Sequence, residues 1–253
     1  NNIKDIKGPK DYIKALFFRK EAWLVNDYKT PIALGIIAGL TAFWNGASLI
    51  ALISILFLLA ICSTNRLEFL ISAIIATGLS LIQSGFFVEA SPVSPKFYFG
   101  FIVENPNIFS VIQYLLRLLG VFPLVIIIYF VIKRTVNRYL IFAFLAPLII
   151  TFTLSLTPDI TVNHKYMMIS IMLLGIFAGD FIFYLYKKRQ VIYKGISILL
   201  VVLLTITGVY DFITLINSNK YTVKLDMNHE LTRWVEENNS NQEVFLTAPY
   251  ALN

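Results

Sequence analysis

The stretch TPIALGIIAGLTAFWNGASLIALISILFLLAICSTN, residues 30–65, decides the fold of this chain, because it carries no charged residue over 36 positions. As one α-helix it would be about 54 Å long, whereas about 20 residues suffice to cross the hydrocarbon core of a bilayer. Trp44-Asn45-Gly46 marks a turn near its middle, since Gly breaks helices and Trp is enriched at membrane–water interfaces. The stretch therefore predicts two slightly short membrane spans joined as a hairpin.

The composition of the whole chain agrees with a membrane protein. Hydrophobic residues make up 57% of the 253, charged residues 14%, and the mean hydropathy is +0.73. A soluble domain of this length has about a quarter charged residues. Cys62 is the single cysteine, so an intrachain disulfide is excluded. We expect an all-α polytopic membrane protein.

Further apolar windows raise the expected number of transmembrane helices to about seven. Residues 109–134 allow two interpretations, because Arg117 lies among apolar residues and Gly120 and Pro123 follow it. Either one long helix buries Arg117, or an interfacial helix ends near Leu119 and a shorter span follows. The second is favoured, since an arginine at membrane depth is costly. The other windows are residues 69–88, 139–158, 166–186 and 195–210.

The basic residues predict the orientation. If seven spans alternate, fifteen of the 21 lysines and arginines fall on one side, which the positive-inside rule makes cytoplasmic. Residues 1–29 are then a cytoplasmic or interfacial amphipathic segment, and residues 30–217 form the transmembrane domain. The basic residues lie in clusters between apolar runs, so the net charge of +6 indicates topology and not nucleic-acid binding.

The segment 218–253 changes character. YTVKLDMN and EVFLTAP are typical of strands, and HELTRWVEENN between them is typical of an amphipathic helix. We expect the start of an extracytoplasmic α/β domain that is truncated at Asn253.

The gap TPDITVNHKYMMIS, residues 157–170, is the main candidate for function. At the outer start of a span, the Lys165 ammonium could bind a lipid phosphate, and His164 could share that contact or hold a proton. Asn163 and Tyr166 could add hydrogen bonds. Alternatively, Lys165 only anchors the helix end and His164 faces water.

Three acids are weaker candidates. Glu89 and Glu104 flank an aromatic loop and could position a sugar or a divalent cation, or simply be solvated. Asp180 lies inside a span, where acids are often functional, although it could pair with basic loop residues. Because no metal-ligand motif occurs in the sequence, no cofactor is assigned.

The order of these features resembles the carboxy-terminal half of bacterial GT-C glycosyltransferases, which use polyprenyl-phosphate sugars. The resemblance rests on PIALGIIAGLTAFWNGASLIALI (31–53), FYFGFIVENPNIFSVIQYLLRLLG (97–120), TPDITVNHKYMMISIMLLGIFAG (157–179) and ELTRWVEENNSNQEVFLTAP (230–249). It implies an outer domain that begins with Trp234, Asn238 and residues 244–246. It also implies a phosphate site made by Lys165, His164 and Arg117.

In that superfamily the catalytic acid lies in the first extracytoplasmic loop, and no residue here matches it. The resemblance thus implies a catalytic carboxylate upstream of Asn1, and residues 1–253 alone are expected to be inactive. Two other classes stay open. One is a transporter or lipid flippase, with Asp180 and Arg117 on a polar path, and the other is a non-enzymatic membrane scaffold.

Overall fold

The computed structural model describes residues 23–62, 65–87, 95–132, 137–157, 159–218 and 230–238. In these ranges the chain is almost entirely helical, with one two-stranded antiparallel sheet. The helices are α1 Lys29–Leu40, α2 Gly46–Cys62, α3 Arg66–Phe87, α4 Ile108–Leu119, α5 Phe122–Ile132, α6 Asn137–Phe144, α7 Ala146–Thr153, α8 His164–Tyr186, α9 Val191–Ser218 and α10 Glu230–Asn238. The strands are β1 Lys96–Phe97 and β2 Leu154–Ser155.

The helical class and the membrane character are confirmed, but the number of spans is smaller than expected. Only α3, α8 and α9 are long and apolar enough among the described residues to cross a membrane, or four spans if the bent pair α4–α5 counts as one. The apolar helices Lys29–Phe43, Gly46–Cys62 and Arg138–Thr153 have 10 to 17 residues. At 1.5 Å per residue they reach at most about 26 Å, short of the hydrocarbon core of about 30 Å. Seven spans are therefore not supported.

Short polar side chains begin several helices by accepting hydrogen bonds from the first free backbone N–H groups, as is usual for Asp and Asn. The predicted break at Trp44-Asn45-Gly46 is confirmed, because α2 begins at Gly46 and the side-chain oxygen of Asn45 caps it. The side-chain oxygens of Asp27, Asn45, Asn107 and Asp159 accept hydrogen bonds of 2.9 to 3.0 Å from the backbone N–H groups of Lys29, Ala47, Ser110 and Thr161, respectively.

Two glycines bring α1 onto α3. A Cβ added at Gly35 would lie 2.8 Å from the Ile75 Cβ, and one at Gly39 would lie 2.9 Å from the Leu79 Cβ. Glycines four residues apart allow helix backbones to approach closely in membranes. The Ser72 hydroxyl adds a bond of 2.9 Å to the Pro31 carbonyl. Both halves of the predicted hairpin, α1 and α2, pack against α3.

A second core joins α5, α6 and α8. Its buried side chains include Tyr129, Ile141, Phe177 and Phe181. The Phe177 ring lies 5.6 Å from that of Tyr129. This core fixes α8 as the helix against which the second half of the membrane domain packs.

The chain divides into two compact units, residues 1–204 and 205–253. In the second, the predicted helix is confirmed as α10, and the Asn238 side chain donates to the Trp234 carbonyl at 2.8 Å. The two predicted tail strands lie outside the described residues, as do residues 244–246 and residues 1–22 of the predicted amino-terminal segment.

Candidate functional site

The small sheet connects the aromatic loop with the segment that precedes the polar gap. Lys96 pairs with Ser155 and Phe97 with Leu154. The Tyr98 and Gly100 N–H groups then donate to the carbonyls of Thr153 and Phe152, each at 3.0 Å. The aromatic loop is thus held against the chain segment that leads into the polar gap. We call this assembly, residues 95–119 and 152–167, the junction.

An aromatic cluster forms the core of the junction. The rings of Phe101, Tyr114 and Phe152 lie 5.9 to 6.3 Å apart in edge-to-face pairs. Phe101 and Phe152 are 3% and 5% exposed, and the buried Met167 of α8 joins the same cluster. Such ring geometry adds about 0.5–1.5 kcal/mol per pair beyond burial. The loop, α4, α7 and α8 are therefore packed on one core.

The loop makes a tight turn at Gly100. Its φ of +99° suits glycine, and an added Cβ would lie 2.3 Å from the Pro106 Cβ. The next residue, Phe101, has a φ of +55°, which is uncommon for a residue with a side chain. The turn directs the Phe101 ring into the aromatic cluster.

Of the four candidates at the polar gap, Asn163 and Tyr166 lie inside. Asn163 is 0% exposed and Tyr166 is 3% exposed. The Asn163 Nδ2 donates to the carbonyls of Thr151 at 3.3 Å and Leu154 at 2.5 Å. These carbonyls lie at the carboxy-terminal end of α7, where no following helical turn supplies N–H donors. Asn163 therefore ties the end of α7 to the start of α8.

His164 and Lys165 are exposed. The His164 Nδ1 lies 2.7 Å from the Thr161 carbonyl, so this nitrogen carries a proton and donates. In the neutral ring Nε2 is then an acceptor, and in the protonated ring it is a second donor. An exposed imidazole and an exposed ammonium thus occupy consecutive positions in the first turn of α8.

Asp159 shapes the segment before them. Its carboxylate accepts from the Thr161 hydroxyl at 2.7 Å and from the Thr161 N–H at 2.9 Å. These two bonds, the hydroxyl first, lower the pKa of Asp159 below its ordinary value of 3.8. The carboxylate is therefore charged at neutral pH and begins the 3₁₀ turn Ile160–Asn163.

Helix α4 presents three different sides. Val111, Tyr114 and Leu115 pack on the aromatic cluster. Ile108, Phe109 and Ile112 are 50% to 76% exposed on the neighbouring apolar side. Gln113 and Arg117, four residues apart, are exposed on a third, polar side.

Helix α4 ends at Leu119, and α5 leaves it at an angle of 100°. Gly120, with a φ of +56°, makes the bend. The interpretation in which a separate helix ends near Leu119 is confirmed, and the one that buries Arg117 in a long helix is wrong.

Of the two glutamates predicted beside the aromatic loop, the structure describes only one. Glu104 is exposed in the loop, and Glu89 lies outside the described residues. Over the ranges described, no three His, Cys, Asp or Glu side chains cluster as metal ligands. The roles of both glutamates in binding sugar or a cation stay predictions.

Asp180 has a partner in the membrane domain. The Tyr129 hydroxyl of α5 donates to the Asp180 carboxylate at 2.8 Å. The predicted pairing of Asp180 with Lys or Arg from the loops stays a prediction. A tyrosine 51 residues away could not be read from the local pattern.

No protein family, no curated protein and no solved structure matches the sequence. The resemblance to GT-C glycosyltransferases thus stays a prediction from the residues quoted above.

Proposed function

We propose that the junction binds the phosphate of a polyprenyl-phosphate sugar, and that the whole protein is a GT-C-type glycosyltransferase of the bacterial cell membrane. Lys165 is the principal phosphate ligand, and His164 and Arg117 assist it. The observation that carries the proposal is the difference in exposure among residues 163–166, the sequence NHKY. Asn163 and Tyr166 are buried, whereas His164 and Lys165 are exposed beside each other.

The electrostatics of the junction support phosphate binding. An ammonium forms charge-assisted hydrogen bonds to phosphate oxygens, and a second cation can accept the charge that develops on the leaving phosphate. The backbone at Lys165 is fixed by the residues around it. The Asn163 side chain ties α8 to α7, and the Tyr166 side chain is buried. A side chain on a fixed backbone loses less conformational entropy when it binds a phosphate.

Helix α4 supports a lipid as the carrier of that phosphate. Its exposed apolar side chains suit the upper acyl region of a leaflet, and Arg117 suits the headgroup level. A polyprenyl chain in the leaflet could then reach the junction from the side. The proposal assigns lipid-phosphate binding to these residues and not the catalytic acid.

The orientation is part of the proposal. The basic residues 187–189 and Lys194 lie beyond the far end of α8 and fit the cytoplasmic face by the positive-inside rule. The junction then lies on the extracytoplasmic side of the membrane. Transfer from a polyprenyl-phosphate sugar takes place on that side in the superfamily that the chain resembles.

Binding of a fluorescent polyprenyl phosphate to the full-length protein in detergent tests the proposal. Lys165→Ala should weaken binding about tenfold to a hundredfold, because a hydrogen bond between ions is worth about 1.5–3 kcal/mol. Lys165→Arg should retain part of the affinity, since the charge stays and the geometry changes. Lys165→Glu should bind less than Lys165→Ala because of repulsion.

Lys96→Ala is the matched control, because Lys96 is also an exposed lysine of the junction. It should change the affinity less than about threefold, as expected for a diffuse surface charge. Equal losses in Lys96→Ala and Lys165→Ala would show general surface attraction. Parental binding in all Lys165 variants would leave Lys165 as an interfacial anchor only.

A further inference from the structure

A groove runs between α8 and α9 at the end of α8 far from the junction. It has a volume of about 350 Å³ and is lined by side chains that include Ile182, Phe183, Ile198 and Val202. The Ser197 hydroxyl in its wall is already bonded to the Ile182 carbonyl at 3.0 Å. The groove thus offers almost only apolar surface to an occupant.

Four cations lie in or next to the turn at this end of the groove. Residues 187–190 form the turn between α8 and α9, and Lys187, Lys188, Arg189 and Lys194 are all exposed. The sequence carries no acid from residue 181 to residue 210, so their charge of +4 is not offset locally. We call residues 187–194 the basic turn.

Aromatic rings hold three of these lysines near the groove. The Nζ atoms of Lys187, Lys188 and Lys194 lie 4.3, 4.5 and 5.9 Å from the ring centres of Phe183, Tyr184 and Tyr186. Phe183 and Tyr186 also line the groove. The ammonium groups of Lys187 and Lys194 are thus placed at the boundary between the apolar groove and the water above it, whereas Lys188 lies over Tyr184, which packs on the core of α5, α6 and α8.

We propose that the groove and the basic turn together bind one anionic diacyl phospholipid. The phosphate lies among the cations of the basic turn, and one acyl chain lies in the groove between Tyr186 and Gly179. These two residues are seven positions apart on a helix, which corresponds to about 10 Å along the chain. A phospholipid has the same arrangement, with a polar headgroup at one end and apolar acyl chains at the other.

Charge complementarity selects this occupant over a protein segment. An apolar groove alone fits many partners, but the Lys187 and Lys194 ammonium groups at its mouth, within a sequence segment that has no acid, specify an anionic head joined to an apolar tail. A neutral phospholipid supplies the tail without net charge. Inorganic phosphate supplies the charge without the tail.

Lipid titration of the full chain in detergent, followed by native mass spectrometry, tests the charge requirement. The double variant Lys187→Gln/Lys194→Gln should weaken phosphatidylglycerol binding about twentyfold to thirtyfold at low salt, at about fivefold per cation. Phosphatidylcholine binding should not change. Lys29→Gln, which removes an exposed lysine at the start of α1, should retain parental phosphatidylglycerol affinity.

A pair of glycines tests the groove. A Cβ at Gly179 or at Gly175 meets no atom within 4 Å, so both positions accept a side chain without a clash. Gly179 lines the groove and Gly175, one turn away on α8, does not. Gly179→Leu should therefore lower phosphatidylglycerol affinity at least tenfold, and Gly175→Leu should leave it unchanged.

Three results would overturn the proposal. The first is equal binding of phosphatidylglycerol and phosphatidylcholine, and the second is equal effects of Gly179→Leu and Gly175→Leu. The third is displacement of phosphatidylglycerol by millimolar inorganic phosphate, which would make the basic turn a site for free anions.

Discussion

The two ends of α8 are both rich in polar side chains but use them differently. At the junction Asn163 and Tyr166 are buried, and Asn163 bonds to the end of α7. At the basic turn, about 35 Å away along this 23-residue helix, every residue from 186 to 196 is exposed. The polar side chains of the junction are therefore divided between buried structural residues and exposed ones, whereas those of the basic turn are all exposed.

This difference has consequences for mutation. Substitutions at the junction should separate into those that destabilise the fold and those that change ligand binding only. Substitutions at the basic turn should change binding without destabilising the fold. The predictions below test this contrast from the largest effect to the smallest.

Gly100→Ala should be strongly destabilising. The positive φ and the contact with Pro106 together should cost about 2–4 kcal/mol of the free energy of unfolding. Gly195→Ala, the same substitution in α9 beside the basic turn, meets no atom within 4 Å and should be neutral or slightly stabilising. Thermal unfolding in detergent measures both, and equal unfolding temperatures for the two variants would contradict the contrast.

Asn163→Ala should lower the free energy of unfolding by about 1–3 kcal/mol, because two carbonyls at the end of α7 lose their donor. Gln190→Ala removes an exposed amide at the basic turn and should stay within about 0.5 kcal/mol of the parent. Lys165→Ala should also stay within that range. A Lys165→Ala variant as unstable as Asn163→Ala would make Lys165 a structural residue.

The two ends should respond to pH in opposite directions. The Asp159 pKa is lowered in the fold, so its contribution to stability is present above the unfolded value near 3.8 and is lost as the pH falls through the folded pKa. The Lys188 pKa is raised above 10.5, first by the hydrogen bond to Tyr184, so its contribution is present below that value and is lost as the pH rises through the folded pKa.

Asp159→Asn should therefore flatten only the acidic side of the stability–pH curve, and Lys188→Gln only the alkaline side. Both groups are exposed, so the changes should be small. Unfolding temperatures measured from acid to alkaline pH give the curve. A change on the same side in both variants would contradict the assignment.

The sequence predicted those features that depend on local chemistry. Asn45 and Gly46 marked the break before α2, and Gly120 and Pro123 marked the end of α4, because caps, glycine and proline act on neighbouring backbone. The helical state of the apolar windows followed from their composition and length. The number of spans was wrong, since a charge-free window does not show where a helix stops, and α6 and α7 are interrupted at Leu145 and end at β2.

The candidate site was predicted only in part. The sequence grouped Asn163, His164, Lys165 and Tyr166, but it could not tell which side chains point inward. That division depends on the helix phase and on β1 pairing with β2, contacts far apart in sequence. The bond between Tyr129 and Asp180 was missed for the same reason.

The contrast between the two ends of α8 requires that they lie on opposite sides of the membrane. In a Cys62→Ala background, Thr161→Cys and Gln190→Cys each place one exposed thiol, at the junction and at the basic turn. A membrane-impermeant maleimide added to intact cells should label position 161, and position 190 only after permeabilisation. Labelling of position 190 in intact cells, or equal labelling of both positions, would contradict the account.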